Sequence, residues 1–77
     1  MAGHVYTTEG LVLKRTPYAE ANLLVTLFTE ELGLVHAAAQ SARREDSKLR
    51  FGLSPLTLGE YSIVAGERFR IVGAQPN

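Results

Sequence analysis

Residues 33–53, GLVHAAAQSARREDSKLRFGL, pass without a break from an aliphatic, small-residue run into a charged segment. Four of the chain's eight basic residues, Arg43, Arg44, Lys48 and Arg50, fall in the second half of this stretch. The first half, Leu34 to Ala42, alternates weakly and is rich in alanine, which fits a strand whose side chains must be small. Either a neighbouring backbone or a ligand comes close there, or a narrow barrel is crowded inside. Arg43 to Leu53 begins too polar for a core strand, and Ser47 is placed to cap a helix of one or two turns that carries Leu49 and Leu53 inward. The stretch reads as strand, basic exit, short helix. An anion would meet the chain at this exit; the competing reading is an ordinary solvated loop, with Arg43 and Arg44 paired to Glu45 and Asp46.

Two strands precede it. Val5 to Thr16, VYTTEGLVLKRT, is rich in β-branched and aromatic residues and reads as a long first strand, with Gly10 placed for a bend or bulge. Thr16-Pro17-Tyr18-Ala19-Glu20 ends it, because proline cannot donate to a ladder and restricts the residue before it. In NLLVTLFTEELG, Leu23, Leu24, Leu27 and Phe28 also fit one face of a helix, but Val25, Thr26 and Thr29 favour a strand. Glu30 to Gly33 then makes a hairpin connection. After Pro55, Leu56 to Val64 reads as a fourth strand, Ala65-Gly66-Glu67 as a tight turn, and Arg68 to Ala74 as a fifth strand with Phe69 and Ile71 inward and Arg68 and Arg70 outward. Gln75-Pro76-Asn77 looks unfinished.

Composition narrows the function. The 77 residues suffice for one domain, 1–77, of marginal core size, and the hydrophobic fraction of 45% is that of a folded chain. With no cysteine there is no disulfide, thiolate metal site or thiol nucleophile. His4 and His36 stand on separate strands without a ligand triplet, and Ser41 and Ser54 have no base beside them in sequence, so neither metal, cofactor nor enzymatic chemistry is expected. MAGHVYTTEG lacks the basic and apolar regions of a signal peptide, and no apolar run approaches the roughly 20 residues of a membrane span, so a cytoplasmic protein with no membrane partner is the expectation. Net charge is zero, so any attraction for nucleic acid must be local.

The order strand, strand, strand, short helix, strand, strand predicts an all-β, five-stranded Greek-key OB-fold barrel with one short helix between strands 3 and 4. An SH3-like barrel is the nearest competitor, but it offers no place for a dozen extra residues after strand three. TEGLVLK, PYAEA, the LF-T-E-LGLV hairpin, the arginine pair and LTLGEY, in that order from Thr8 to about Gly73, resemble the N-terminal domain of the bacterial recombination mediator RecO. That resemblance implies an OB-fold binding single- and double-stranded DNA, in a nucleoid-associated protein that anneals strands, helps load recombinase and acts with RecR. Family members continue into a helical domain and often a zinc element, both absent from these residues. Docking of single-strand-binding protein would belong to such regions.

An OB-fold uses the outer face of strands two and three, with the loops after strands one and four, as a groove that combines cations for phosphates with aromatic faces for bases. The candidate DNA contacts are Arg43, Arg44, Lys14, Arg15, Lys48, Arg50 and Tyr18. Lys14 and Arg15 point to opposite faces of a regular strand, so one of them faces the groove. Tyr18 is a stacking platform or a loop plug. Phe28, Tyr61, Phe69 and Ile71 are expected in the core. Arg68 and Arg70 extend the patch or are merely solvated behind the barrel. A second function class remains open: a protein-interaction domain docking RecR or another repair partner, with little DNA binding of its own, which the neutral net charge favours.

Overall fold

The computed structural model describes residues 4–44 and 47–77. Five strands, β1 (His4–Tyr18), β2 (Asn22–Thr29), β3 (Gly33–Ala39), β4 (Leu58–Ala65) and β5 (Phe69–Pro76), close into a barrel in the order β1-β2-β3-β5-β4. Neighbours are antiparallel except β3 and β5, which pair in parallel. A single 3-10 turn, Arg50–Leu53, lies between β3 and β4 among the described residues. This is the OB-fold. No helix among the described residues is long and apolar enough to cross a membrane.

β1 serves both halves of the barrel. Its first part, from His4 to Leu11, pairs with β4, and its second, from Gly10 to Tyr18, pairs with β2. Gly10 sits at the handover, opposite both Thr29 and Gly59, and a Cβ there would lie 3.3 Å from the Leu27 side chain and from the Phe28 carbonyl oxygen. The bulge expected near Gly10 lies instead at Leu13, where the register shifts between Val12 and Lys14. β1 also continues through Pro17 to Tyr18, past the end expected from the proline. Beyond Leu11 this strand has no β4 partner, and a proline is tolerated where one edge is open.

β2 alternates as a strand: Leu23, Val25 and Leu27 are buried, while Leu24 and Phe28 are exposed. The helical alternative, with those leucines and Phe28 on one face, is therefore excluded. Phe28, expected in the core, points outward and is 57% exposed. The hairpin to β3 is closed by Gly33 at φ 70° and by Thr29, whose Oγ1 accepts the Leu32 N–H at 2.8 Å and donates to the Gly33 carbonyl at 2.9 Å.

β3 stops at Ala39 rather than Ala42. Ala37 and Ala39 are fully buried, and Ala37 stands opposite Phe69 of β5, so crowding inside a narrow barrel accounts for the alanines. β4 begins at Leu58 rather than Leu56, which occupies a left-handed turn at φ 67°. β5 runs past the expected end at Ala74: Pro76 pairs with Gly59, and the Asn77 N–H donates to the Leu58 carbonyl at 3.0 Å.

Val12, Val25, Leu27, Leu53, Tyr61 and Ile63 fill the interior. Ile71 joins them as expected, and Phe69 packs partly buried against them. The Tyr61 hydroxyl donates to the Gly52 carbonyl at 2.7 Å and so ties the 3-10 turn to the barrel. Ser47 does not cap that turn: its cap residue is Leu49, without a side-chain bond, and the Ser47 Oγ instead accepts the Leu49 N–H at 3.2 Å. Leu53 nevertheless points into the core, which carries Arg50 to the barrel mouth.

Candidate nucleic-acid interface

Two turns meet at one end of the barrel. The residues after β3 are stitched to the turn after β1: the Arg43 N–H donates to the Ala21 carbonyl at 3.0 Å, and the Ser41 N–H donates to Asn22 Oδ1 at 2.8 Å. The Arg43 guanidinium adds two bonds from Nη1, to the carbonyls of Ala19 at 3.2 Å and Glu20 at 3.1 Å. Ala19 and Ser41 stand at φ 55° and 59°, a conformation that disfavours side chains other than glycine, asparagine and aspartate. These cross-links hold both turns in place against that strain.

The stitched turns leave a cleft of about 300 Å³ lined by Arg15, Pro17, Leu23, Ala42, Arg43 and Arg50. Each arginine comes from a different element: Arg15 from β1, Arg43 from the turn after β3, and Arg50 from the 3-10 turn. Three guanidinium groups around an apolar floor present forked donors suited to phosphate oxygens.

The other basic candidates do not join this cleft. Beyond the Leu13 bulge, Arg15 pairs with the inward Val25 and so turns to the barrel mouth, whereas Lys14 pairs with Thr26 on the outer face. Thr26 Oγ1 there lies 3.2 Å from His36 Nδ1. Of Lys14 and Arg15, then, only the arginine enters the cleft. Arg44 and Lys48 are exposed and line none of the cleft. Glu45 and Asp46, the possible partners of the arginine pair, lie outside the described residues.

Tyr18 is neither buried nor alone. Its hydroxyl accepts a hydrogen bond from Arg68 Nη1 at 2.8 Å, and the guanidinium carbon stands 5.9 Å from the ring centroid. Arg68 lies in the β4–β5 connection, so that connection reaches the end of β1, beside the turn into β2. Strand alternation in the sequence places Arg68 and Arg70 together on one face of the fifth strand. Only Arg70 belongs to the strand, and it lines a separate depression with Gln40, Leu49 and Val72. The fold order carried a signal for this contact, since the β4–β5 connection of an OB-fold lies near the end of strand one. Among the described residues no group of three or more histidines, aspartates or glutamates is placed to hold a metal ion.

The family model "Recombination protein O N terminal" matches residues 1–72. Among similar proteins is a DNA repair protein RecO of Thermodesulfovibrio yellowstonii, 42% identical over 62 residues, covering 80% of this chain and 25% of that protein. A DNA repair protein RecO of a Synechococcus species is 36% identical over 66 residues, covering 86% and 23%. Another from Lactobacillus delbrueckii subsp. bulgaricus is 41% identical over 64 residues, covering 83% and 26%. The chain thus spans about a quarter of the length of the curated relatives it matches. Together with a closed β1-β2-β3-β5-β4 barrel, the family match over nearly every residue establishes that this chain belongs to the RecO N-terminal domain family.

Proposed function

We propose that the chain is the nucleic-acid-binding module of a DNA repair and recombination mediator. It binds single- and double-stranded DNA, supports strand annealing and recombinase loading, and acts by binding rather than by catalysis. One observation carries this reading: Arg15, Arg43 and Arg50, from three separate elements, line one cleft beside the end of β1 that bears Tyr18. Phosphates meet the arginines, and a base or sugar meets Tyr18 and Arg68. Residues 1–77 act as one OB unit, with RecR as a partner, and single-strand-binding protein engages other segments of a full-length relative. Such a module works in the bacterial cytoplasm.

Fluorescence anisotropy with labelled single-stranded DNA across a salt series tests it. Each phosphate contact contributes a slope of about 0.7 in log affinity against log salt, so replacing Arg15 and Arg50 together by glutamine lowers the slope by about 1.4. Arg43 is left intact because it braces two turns. An unchanged slope in a folded double variant refutes the cleft assignment.

A further inference from the structure

Among the described residues, the side of the barrel built on the first half of β1 carries no cluster of cations. Four large apolar residues stand there as direct partners across four strands: Leu58 of β4 with Leu11, Leu11 with Phe28, and Phe28 with Leu34 of β3. Leu58, Phe28 and Leu34 are 51%, 57% and 56% exposed. Direct cross-strand partners touch, so these side chains form one continuous apolar row, about 14 Å long at the usual strand spacing. None of the four is a member of the buried core, which is filled by the inward residues of the same strands. Single exposed leucines are common, but a row of four large apolar side chains marks a contact surface. Leucine is also not among the residues that strands favour for their own sake.

A second row runs beside the first. Glu9 and Glu60, each two residues from a leucine of the apolar row, are direct partners, and the Glu30 N–H donates to the Glu9 carbonyl at 2.9 Å. Three exposed glutamates thus sit side by side, although like charges placed directly opposite each other weaken a sheet. The two rows enclose a depression of about 360 Å³ bordered by Glu9, Leu11, Phe28, Glu30 and Leu58. Folding gains nothing from the acidic row; a cationic ligand would.

We infer that this acid-edged apolar row is a docking surface for an amphipathic helix of a partner protein, one with a leucine-like stripe flanked on one side by lysine or arginine. The carboxylates repel nucleic acid and anionic membranes, which leaves protein as the occupant. A row of about 14 Å matches roughly ten residues, or three turns, of helix at 1.5 Å per residue. The rows lie two residues apart along the strands, about 7 Å, which is the offset between an apolar stripe and its flank on one helix. This surface is distinct from the arginine cleft, and its occupancy does not depend on DNA binding.

The probe is a 14-residue synthetic helix with leucines at i, i+3, i+4 and i+7 and lysines along one flank, titrated into the nitrogen-15-labelled chain and followed by NMR. Shifts are expected at Leu11, Phe28, Leu34 and Leu58, with affinity lowered about tenfold or more by Phe28→Ser, by Leu34→Ser and by Glu9→Lys combined with Glu30→Lys. A peptide with glutamate in place of lysine should bind at least tenfold more weakly. DNA binding in 0.1 M salt should be unchanged in Phe28→Ser, whose outward side chain leaves the core intact. Equal affinity for the lysine and glutamate peptides, shifts confined to the arginine cleft, or no binding at millimolar peptide would each overturn the proposal. So would self-association of the wild-type chain that Phe28→Ser abolishes, since a second copy would then be the occupant.

Discussion

Replacing Tyr61 by phenylalanine removes one oxygen from the centre of the barrel and tests how the cleft is held together. The hydroxyl is fully buried and donates to the Gly52 carbonyl at 2.7 Å, with the Thr57 carbonyl at 3.4 Å. Phenylalanine fills the same space but leaves the Gly52 carbonyl without its donor. A buried group orphaned in this way costs about 1–3 kcal/mol, or about 5–20 °C in the melting temperature of a domain this small. Because Gly52 belongs to the turn that carries Arg50, amides of Arg50–Leu53 should also exchange faster with solvent in the variant.

The pH dependence gives a sharper signature. Burial raises the Tyr61 phenol above its ordinary value of 10.0. Above about pH 10 the unfolded chain therefore releases this proton before the folded one does, and folding stability falls as pH rises. Phenylalanine cannot titrate, and every other group is common to both proteins. The stability advantage of wild type over Tyr61→Phe is thus full below about pH 10. It then shrinks by about 1.4 kcal/mol per pH unit until the folded-state phenol itself ionises. Urea unfolding followed by circular dichroism from pH 7 to 11 reads both effects. A difference that stays constant across that range, or a variant as stable as wild type at pH 7, would refute the account of Tyr61 as a buried donor.

Two further substitutions probe the frame around the sites. Gly59→Ala would place a Cβ 2.6 Å from the Gln75 carbonyl oxygen and 2.9 Å from Pro76 Cα, both backbone, so thermal melts should show a loss of about 1–3 kcal/mol, and a neutral outcome would mean β5 is not held against β4 there. Arg43→Lys keeps the charge but not the fork that reaches the Ala19 and Glu20 carbonyls. Hydrogen exchange should quicken at the amides of position 43 and Ser41, and unchanged protection would show that the two turns are held without the guanidinium.

β2 was legible through its β-branched residues, Val25, Thr26 and Thr29, because an apolar pattern that also fits a helical face settles nothing by periodicity alone. The same pattern cannot say which face is inward when both are apolar. Leu24 and Phe28 are as hydrophobic as the core residues between them, so Phe28 was placed inside and only the barrel geometry turns it out. The strand ends went wrong for a related reason. Pro17 reads as a terminator, but a ladder tolerates proline on an edge without a neighbour, and the neighbours of β1 change at Gly10 and Leu11. Of the site, the arginine exit after β3 was visible as local charge density. The partition of Lys14 from Arg15 followed from strand alternation, although a bulge intervenes. The contact between Arg68 and Tyr18 joins residues 50 apart in sequence, and no local pattern announces a contact set by barrel closure.

β1 links the two faces. Glu9 belongs to the acidic row and Arg15 to the cleft, so six steps along one strand separate opposite charge clusters, about 20 Å at strand rise. A formal charge of zero therefore conceals a dipolar molecule rather than a neutral surface. At 0.1 M salt the Debye length is about 10 Å, and charges two such lengths apart act almost independently. DNA in the cleft and a cationic helix on the apolar row would then occupy one chain without competing. At 0.01 M salt the length reaches about 30 Å, the acidic row falls within reach of a phosphate backbone in the cleft, and its repulsion weakens DNA binding. Neutralising Glu9 and Glu30 with glutamine should tighten DNA binding at 0.01 M and leave it unchanged at 0.1 M, a contrast that steric overlap of the two sites would not produce.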